Sequence, residues 1–280
     1  MICNTWRRGV ARFITTAIIA AAFIQSHTQA ASLFTVTADN GQINEIDADT
    51  GTLIRSFATP IAPQSGGGSG LAHSGSALYF SDITTATLYR LDPNTGAVLG
   101  TFAHPLEASD PQGASIDALG FGVTSYGPTL FTLNYTVNRV SLLNPLTGSL
   151  FSSYVSTLDL VGGMDFHAGR NSLFVSGDDN MVFELEPSTG TLLNSFSAAI
   201  PSSSIQVGVG IVGGRLFTAP QFQLEISERD PATGAVLNSI PSPGGPASAL
   251  AGAYVPEPSS ASLAVMSAFA ALAFSSRRRA

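Results

Sequence analysis

The sequence predicts an all-β repeat fold, a closed ring of five four-stranded blades, and three observations carry that expectation. The phrase "LDPNTGAVL" at 91–99 returns as "DPATGAVL" at 230–237. Aligning the chain on this Thr-Gly pair recovers five copies of one unit, starting at Leu33, Leu78, Leu130, Leu173 and Leu216. The starts are 45, 52, 43 and 43 residues apart, a period that belongs to repeat architectures rather than to a single-core fold. Helical 3.6-residue periodicity is absent from the body, where short apolar runs bounded by turn residues recur instead.

Each unit has the same parts in the same order. An apolar run such as "LYFS" (78–81) is a strand, a polar turn follows, and "TLYRL" (87–91) is the next strand. That strand leads into Asp-Pro-x-Thr-Gly, and a further run, "AVLGTF" (97–102), closes the unit. Pro93 and Pro231 pre-set φ for a turn, Asp92 and Asp230 can bond the local backbone, and Gly96 and Gly234 suit a left-handed position. The combination fits a hairpin of about three to five loop residues ending in a glycine bulge. A leading strand is expected before four of the units, in "SGLAHS" (69–74), "DALGFGV" (117–123), "GGMDFHA" (162–168) and "VGVGIVG" (207–213). Four strands per unit make the blade of a β-propeller.

The first copy lacks a leading strand, and "ASALAGAYV" (247–255) supplies one after the fifth. The expectation is that this C-terminal strand completes the first blade, closing the ring and removing its open edge. Runs such as "SGSALYFSD" and "LYRLDPNTG" resemble the YVTN/NHL-like propellers over about residues 32–255. A sandwich is the structural alternative, but it does not need one turn at a nearly constant period.

Composition narrows the function classes. Charged residues make up 11% of the chain, against 28 Gly and 16 Pro, which describes a turn-rich protein with a largely uncharged surface. There is no lysine, so all 12 basic residues are arginine. Residues 31–255 hold 6 Arg against 18 Asp plus Glu, and 6 − 18 gives −12. Such a body repels phosphate backbones, so no nucleic-acid partner is expected. Without lysine there is no P-loop and no Schiff base, and "GGGSG" (66–70) reads as a loop.

The chain ends read as addresses. Arg7, Arg8 and Arg12 precede the apolar "FITTAIIAAAFI" (13–24), and small residues at Thr28 and Ala30 suit cleavage after Ala30. Residues 1–30 are therefore expected to be a signal peptide; a twelve-residue apolar segment is too short to span a hydrocarbon core of ~30 Å. Cleavage removes Cys3, the only cysteine, and with it any disulfide, thiol nucleophile or thiolate ligand. At the other end Pro256, Glu257 and Pro258 precede 18 uncharged residues (259–276), followed by Arg277, Arg278 and Arg279. As a helix the apolar stretch is about 27 Å long, enough for one thin-bilayer span, with the arginines held cytoplasmic.

That order of triplet, helix and arginines closely resembles a PEP-CTERM sorting domain at 256–280. The resemblance implies a bacterial exported protein handled by an exosortase, often in exopolysaccharide-producing cells. It also implies transient membrane association at the inner membrane, followed by release to the cell surface or matrix. The alternative for the tail is a plain C-terminal anchor.

Candidate chemistry in the body, 31–255, is sparse. His73 and His167 fall in corresponding turns of different units, and with His104 they read as turn residues rather than a metal set. Asp178, Asp179 and Asn180 could offer oxygens to calcium, but they sit where a hairpin turn expects such residues. Asn134-Tyr135-Thr136 matches a glycosylation sequon within a hairpin turn. Asp117 and Asp165, near leading strands, are the carboxylates that could face a central channel. No catalytic residue, metal ligand or cofactor is assigned. Two readings remain: an exported binding or structural propeller whose partners are exopolysaccharide or surface proteins, and an envelope hydrolase or lactonase with a metal in the channel.

Overall fold

The computed structural model describes residues 31–37, 40–61, 69–82, 86–106, 116–198, 206–220 and 222–253. The first blade begins with β1 (Ser32–Thr37), β2 (Gln42–Asp47) and β3 (Leu53–Ala58). The second is β4 (Ser69–His73), β5 (Leu78–Asp82), β6 (Thr87–Leu91) and β7 (Val98–Ala103). The third is β8 (Ala118–Thr124), β9 (Gly127–Asn134), β10 (Arg139–Leu143) and β11 (Leu150–Val155). The fourth is β12 (Leu160–His167), β13 (Ser172–Gly177), β14 (Met181–Leu185) and β15 (Leu192–Ser197). The fifth is β16 (Gln206–Val212), β17 (Arg215–Pro220), β18 (Glu225–Arg229) and β19 (Val236–Pro241), and β20 (Ala247–Gly252) ends the described chain.

Five four-stranded antiparallel sheets result, and the first has the order β20-β1-β2-β3. The C-terminal strand therefore completes the first blade, as expected, with Leu33 opposite Gly252 and Thr35 opposite Leu250. The inner strands β20, β4, β8, β12 and β16 follow one another around the axis. Small residues in them have a reason. A Cβ on Gly252 would lie 1.6 Å from the Ile211 carbonyl oxygen, and one on Gly120 would lie 3.2 Å from the Asp165 Cα. Only glycine lets these backbones approach so closely at the centre.

The core is divided among the seams. Phe131, Leu133, Val140 and Leu142 of the third blade pack on Met164, Phe166 and Leu173 of the fourth. The fifth and first blades meet through Phe217, Ile226, Leu33, Ile46 and Leu250. Similar clusters fill the other three seams. Each blade thus buries its faces only against its neighbours, so the ring must close for the last two faces to be covered.

The repeated Thr-Gly phrase does two jobs. Locally it is a hairpin loop, residues 92–97 in the second blade, in which the Gly96 N–H donates to the Asp92 carbonyl at 2.9 Å and Asp92 Oδ1 accepts from Asn94 N at 2.8 Å. The glycines are left-handed, with φ of 69° at Gly51, 72° at Gly96, 71° at Gly148, 71° at Gly190 and 74° at Gly234. A bulge follows, but not at the glycine as expected: Gly96 stays in the turn, and on the outer strand Arg90 pairs Gly100 but Leu91 pairs Val98, leaving Leu99 as the extra residue. The second job is between blades. A Cβ at Gly96 would lie 2.3 Å from the Phe57 ring of the preceding blade, and one at Gly148 2.3 Å from Phe102. Gly190 meets Tyr154 and Gly234 meets Phe196 in the same way, while Gly51 meets Pro241 across the closing seam. The bare Cα is the slot into which the previous blade's outer strand inserts a ring.

Candidate binding site

A buried carboxylate lies at the axis. Asp165 lies in β12, and its Oδ1 accepts from the Phe166 N–H at 2.9 Å. Its Oδ2 accepts from Ile211 N at 2.7 Å and from Gly252 N at 3.2 Å, and the Phe121 N–H also donates to it. One side chain of the fourth blade thereby ties the inner strands of the third, fifth and first. Burial pushes its carboxyl up to about 7, against the pull of those four backbone donors. Asp117 is also buried, immediately before β8, where its N–H donates to the Leu133 carbonyl at 3.0 Å.

The histidines are turn-capping groups, and the structure does not bring them together. His73 and His167 end their inner strands, and their Nδ1 atoms accept from Gly75 N at 3.1 Å and Arg170 N at 3.2 Å. His73 stacks on Phe34, and burial pushes it down to about 4. His104 is fully buried, with Nε2 2.8 Å from Thr132 Oγ1. Asp178, Asp179 and Asn180 form the turn between β13 and β14, with Asp179 at φ 55° and Asn180 at φ 60° in the left-handed region. Asn134 of the sequon is buried, and its Oδ1 accepts from Thr136 N at 3.0 Å. Among the described residues no three His, Cys, Asp or Glu side chains gather in a metal-holding group. Ala30, Pro256, Glu257, Pro258, Arg277, Arg278 and Arg279 lie outside the described residues. No described helix is long and apolar enough to cross a membrane, and the expected helix at 259–276 is not among the described residues.

The site that sequence reasoning missed is a cleft of about 360 Å³ between the second and third blades. Tyr79, Phe121, Tyr126, Asn144, Leu146 and Phe151 line it. Tyr79 and Phe121 are buried and stacked at 6.3 Å, while Tyr126 lies on Phe151 at 5.2 Å with 9° between the ring planes. The signal was present in the sequence as departures from the repeat. At the middle of the Thr-Gly turn the other blades have Asp49, Asn94, Ser188 and Ala232, and the third blade has Leu146, which is 69% exposed. The extra residue of the outer strand is Ile54, Leu99, Leu193 or Leu237 elsewhere and Phe151 here. The turn-capping acid, Asp47, Asp92, Glu186 or Asp230 elsewhere, is Asn144 here. The hairpin between the inner and second strands is built of small or polar residues in the second, fourth and fifth blades, and carries Tyr126 in the third. All four departures meet at one cleft.

Fold and site together define a class: a five-bladed β-propeller repeat protein whose third blade departs from the other four around the cleft. More narrowly, the chain belongs to the family described as outer membrane protein assembly factor BamB, whose profile matches residues 84–275. A search of curated proteins gave no significant match. Among solved structures, the glutaminyl cyclase of Myxococcus xanthus is similar with a TM-score of 0.54 at 14% identity, over 70% of this chain and 84% of that one. A chain of the nidogen/laminin complex has a TM-score of 0.52 at 13% identity, over 80% of this chain and 98% of that one. At such identities the likeness is one of fold alone.

Proposed function

We propose that this protein is an exported binding module that acts at the cell surface or in the extracellular matrix through the cleft between its second and third blades. The convergence of four departures from the repeat on that cleft carries the reading. The third blade differs from the other four at these positions, and two of the residues it places there, Tyr126 and Leu146, are exposed. Leu146 is not a lone exposed leucine: it lines one cleft with Tyr126 and Phe151, and it is a clustered apolar surface of this kind that marks a contact site. The family description names an envelope assembly factor, which supports an envelope setting. The tail supplies the route: an exosortase reads Pro256, Glu257 and Pro258, and Arg277 to Arg279 stop transfer until release. The partners on this reading are exopolysaccharide or surface proteins.

The alternative of a channel hydrolase or lactonase is less well supported. Asp165, the axial carboxylate, has both oxygens engaged by backbone N–H groups. Fractionation of the native host tests both parts of the reading. Wild type is expected in the surface or matrix fraction without its tail. Pro256, Glu257 and Pro258 changed together to alanine should insert but stay in the membrane, and Leu146→Ser should be released but pass into the medium. A wild-type C-terminus that persists through Ala280 removes the sorting claim. Equal surface retention of wild type and Leu146→Ser removes the cleft.

A further inference from the structure

We infer that the cleft between the second and third blades binds a neutral saccharide, with one pyranose ring lying on the outer face of Tyr126. The inference rests on the proposed reading of the cleft as the binding site and adds the class of ligand. Tyr126 is 47% exposed and is backed on one face by Phe151 at 5.2 Å. Its ring is thus held flat before any ligand arrives, which lowers the ordering cost of binding. An aromatic face is electron-rich, and the weakly positive C–H bonds on one side of a pyranose complement it. Leu146 and Pro145 stand beside it as apolar walls.

Charge selects against the other ligand classes. No Arg, Asp or Glu lines the cleft, and the acid found at the capping position of the other four turns is Asn144 here. An anion would meet aromatic faces on a body of net charge −12, and Arg90, opposite Tyr79 in the second blade and close enough to act on its hydroxyl, is not among the lining residues. An ammonium group over the ring would find no carboxylate beside it. A purely apolar ligand would cover the Ser76 hydroxyl and the Asn144 amide and leave them unpaired. Asn144 Oδ1 already accepts from Leu146 N at 2.9 Å and Thr147 N at 3.1 Å, so its NH2 is the donor left for a sugar hydroxyl. At about 360 Å³ the cleft is near the small end of ligand sites, ~300–1,000 Å³, and suits one or two rings rather than a folded partner.

The test is a glycan array of neutral and acidic oligosaccharides probed with the full chain in detergent, with a proline-rich peptide as the polypeptide probe. Wild type is expected to bind neutral pyranose glycans. Tyr126→Ala should weaken binding about tenfold through loss of the stacked face, and Tyr126→Phe should retain it. Leu146→Ser, which changes only an exposed side chain of the third blade's Thr-Gly turn, is the second variant, and thermal melting verifies that each variant is folded. Binding of neutral glycans that is indifferent to both Tyr126→Ala and Leu146→Ser overturns the inference, as does retention of none of them. Tyr126-dependent binding of the peptide alone overturns the saccharide class and leaves the cleft as a binding site. If no probe depends on either residue, both the ligand class and the cleft reading fail.

Discussion

Two buried titrating residues set opposite pH dependences on the ring. Asp165 is shifted by burial from 3.8 to about 7. Between those values the folded protein holds a proton that the unfolded chain has lost, so this group adds stability as pH falls from 7 toward 4. His73 is shifted by burial from 6.5 to about 4. There the unfolded chain takes up the proton first, so stability is lost as pH falls through the same window, and His167 is lowered in the same sense. At 1.36 kcal/mol per unit each of the two larger shifts is worth on the order of 3–4 kcal/mol, and the opposing terms largely cancel. The wild-type urea midpoint is therefore expected to change little between pH 7 and pH 5. Asp165→Asn should make it fall on acidification, and His73→Gln should make it rise. Parallel slopes in the two variants would refute the assignment.

The Thr-Gly hairpin is the element that repeats, and a pair of glycines separates its two jobs. Gly96 and Gly127 both have positive φ, 72° and 85°, so alanine strains either backbone by about 1–3 kcal/mol. A Cβ at Gly127 has nothing within 4 Å, whereas one at Gly96 lies 2.3 Å from the Phe57 ring. Gly96→Ala should therefore cost about 1–3 kcal/mol more than Gly127→Ala in denaturant unfolding, the usual penalty of overpacking. Adding Phe57→Leu should recover part of that excess through a coupling term. Strictly additive costs would mean that the glycine serves the turn alone. The turn was legible in the sequence because its chemistry lies within five adjacent residues. Its slot was not, because the ring that fills it comes from the outer strand of another blade.

At the scale of the molecule, stability depends on closure. β20 supplies the partner of β1 and carries Gly252, whose N–H reaches Asp165. Deleting 247–253 leaves two blade faces without a neighbour, and a loss of several kcal/mol corresponds to a melting point lower by roughly 10 °C or more. Gly252→Ala tests the same seam more gently, since its Cβ would lie 1.6 Å from the Ile211 carbonyl oxygen. A truncated chain that melts within a degree or two of the intact one would show that closure contributes nothing. The same ring juxtaposes Tyr126, Leu146 and Phe151, which come from two turns and an outer strand of the third blade, with Tyr79 of the second.

By itself the sequence determined the all-β class, five units, four strands in each, the left-handed glycines and the strand that closes the ring. These are properties of period and of local turn chemistry, and a chain written five times displays them without being folded. The reading of the two ends as signal and sorting segments likewise comes from the sequence alone. Only the tertiary structure decided that Asp165 bonds backbone groups from several inner strands, that each Thr-Gly glycine receives a side chain from the preceding blade, and that the departures in the third blade share one cleft. Those outcomes depend on strand register and on the angle at which one blade meets the next. No single unit encodes that angle; it arises when five units must close on one another around a common axis.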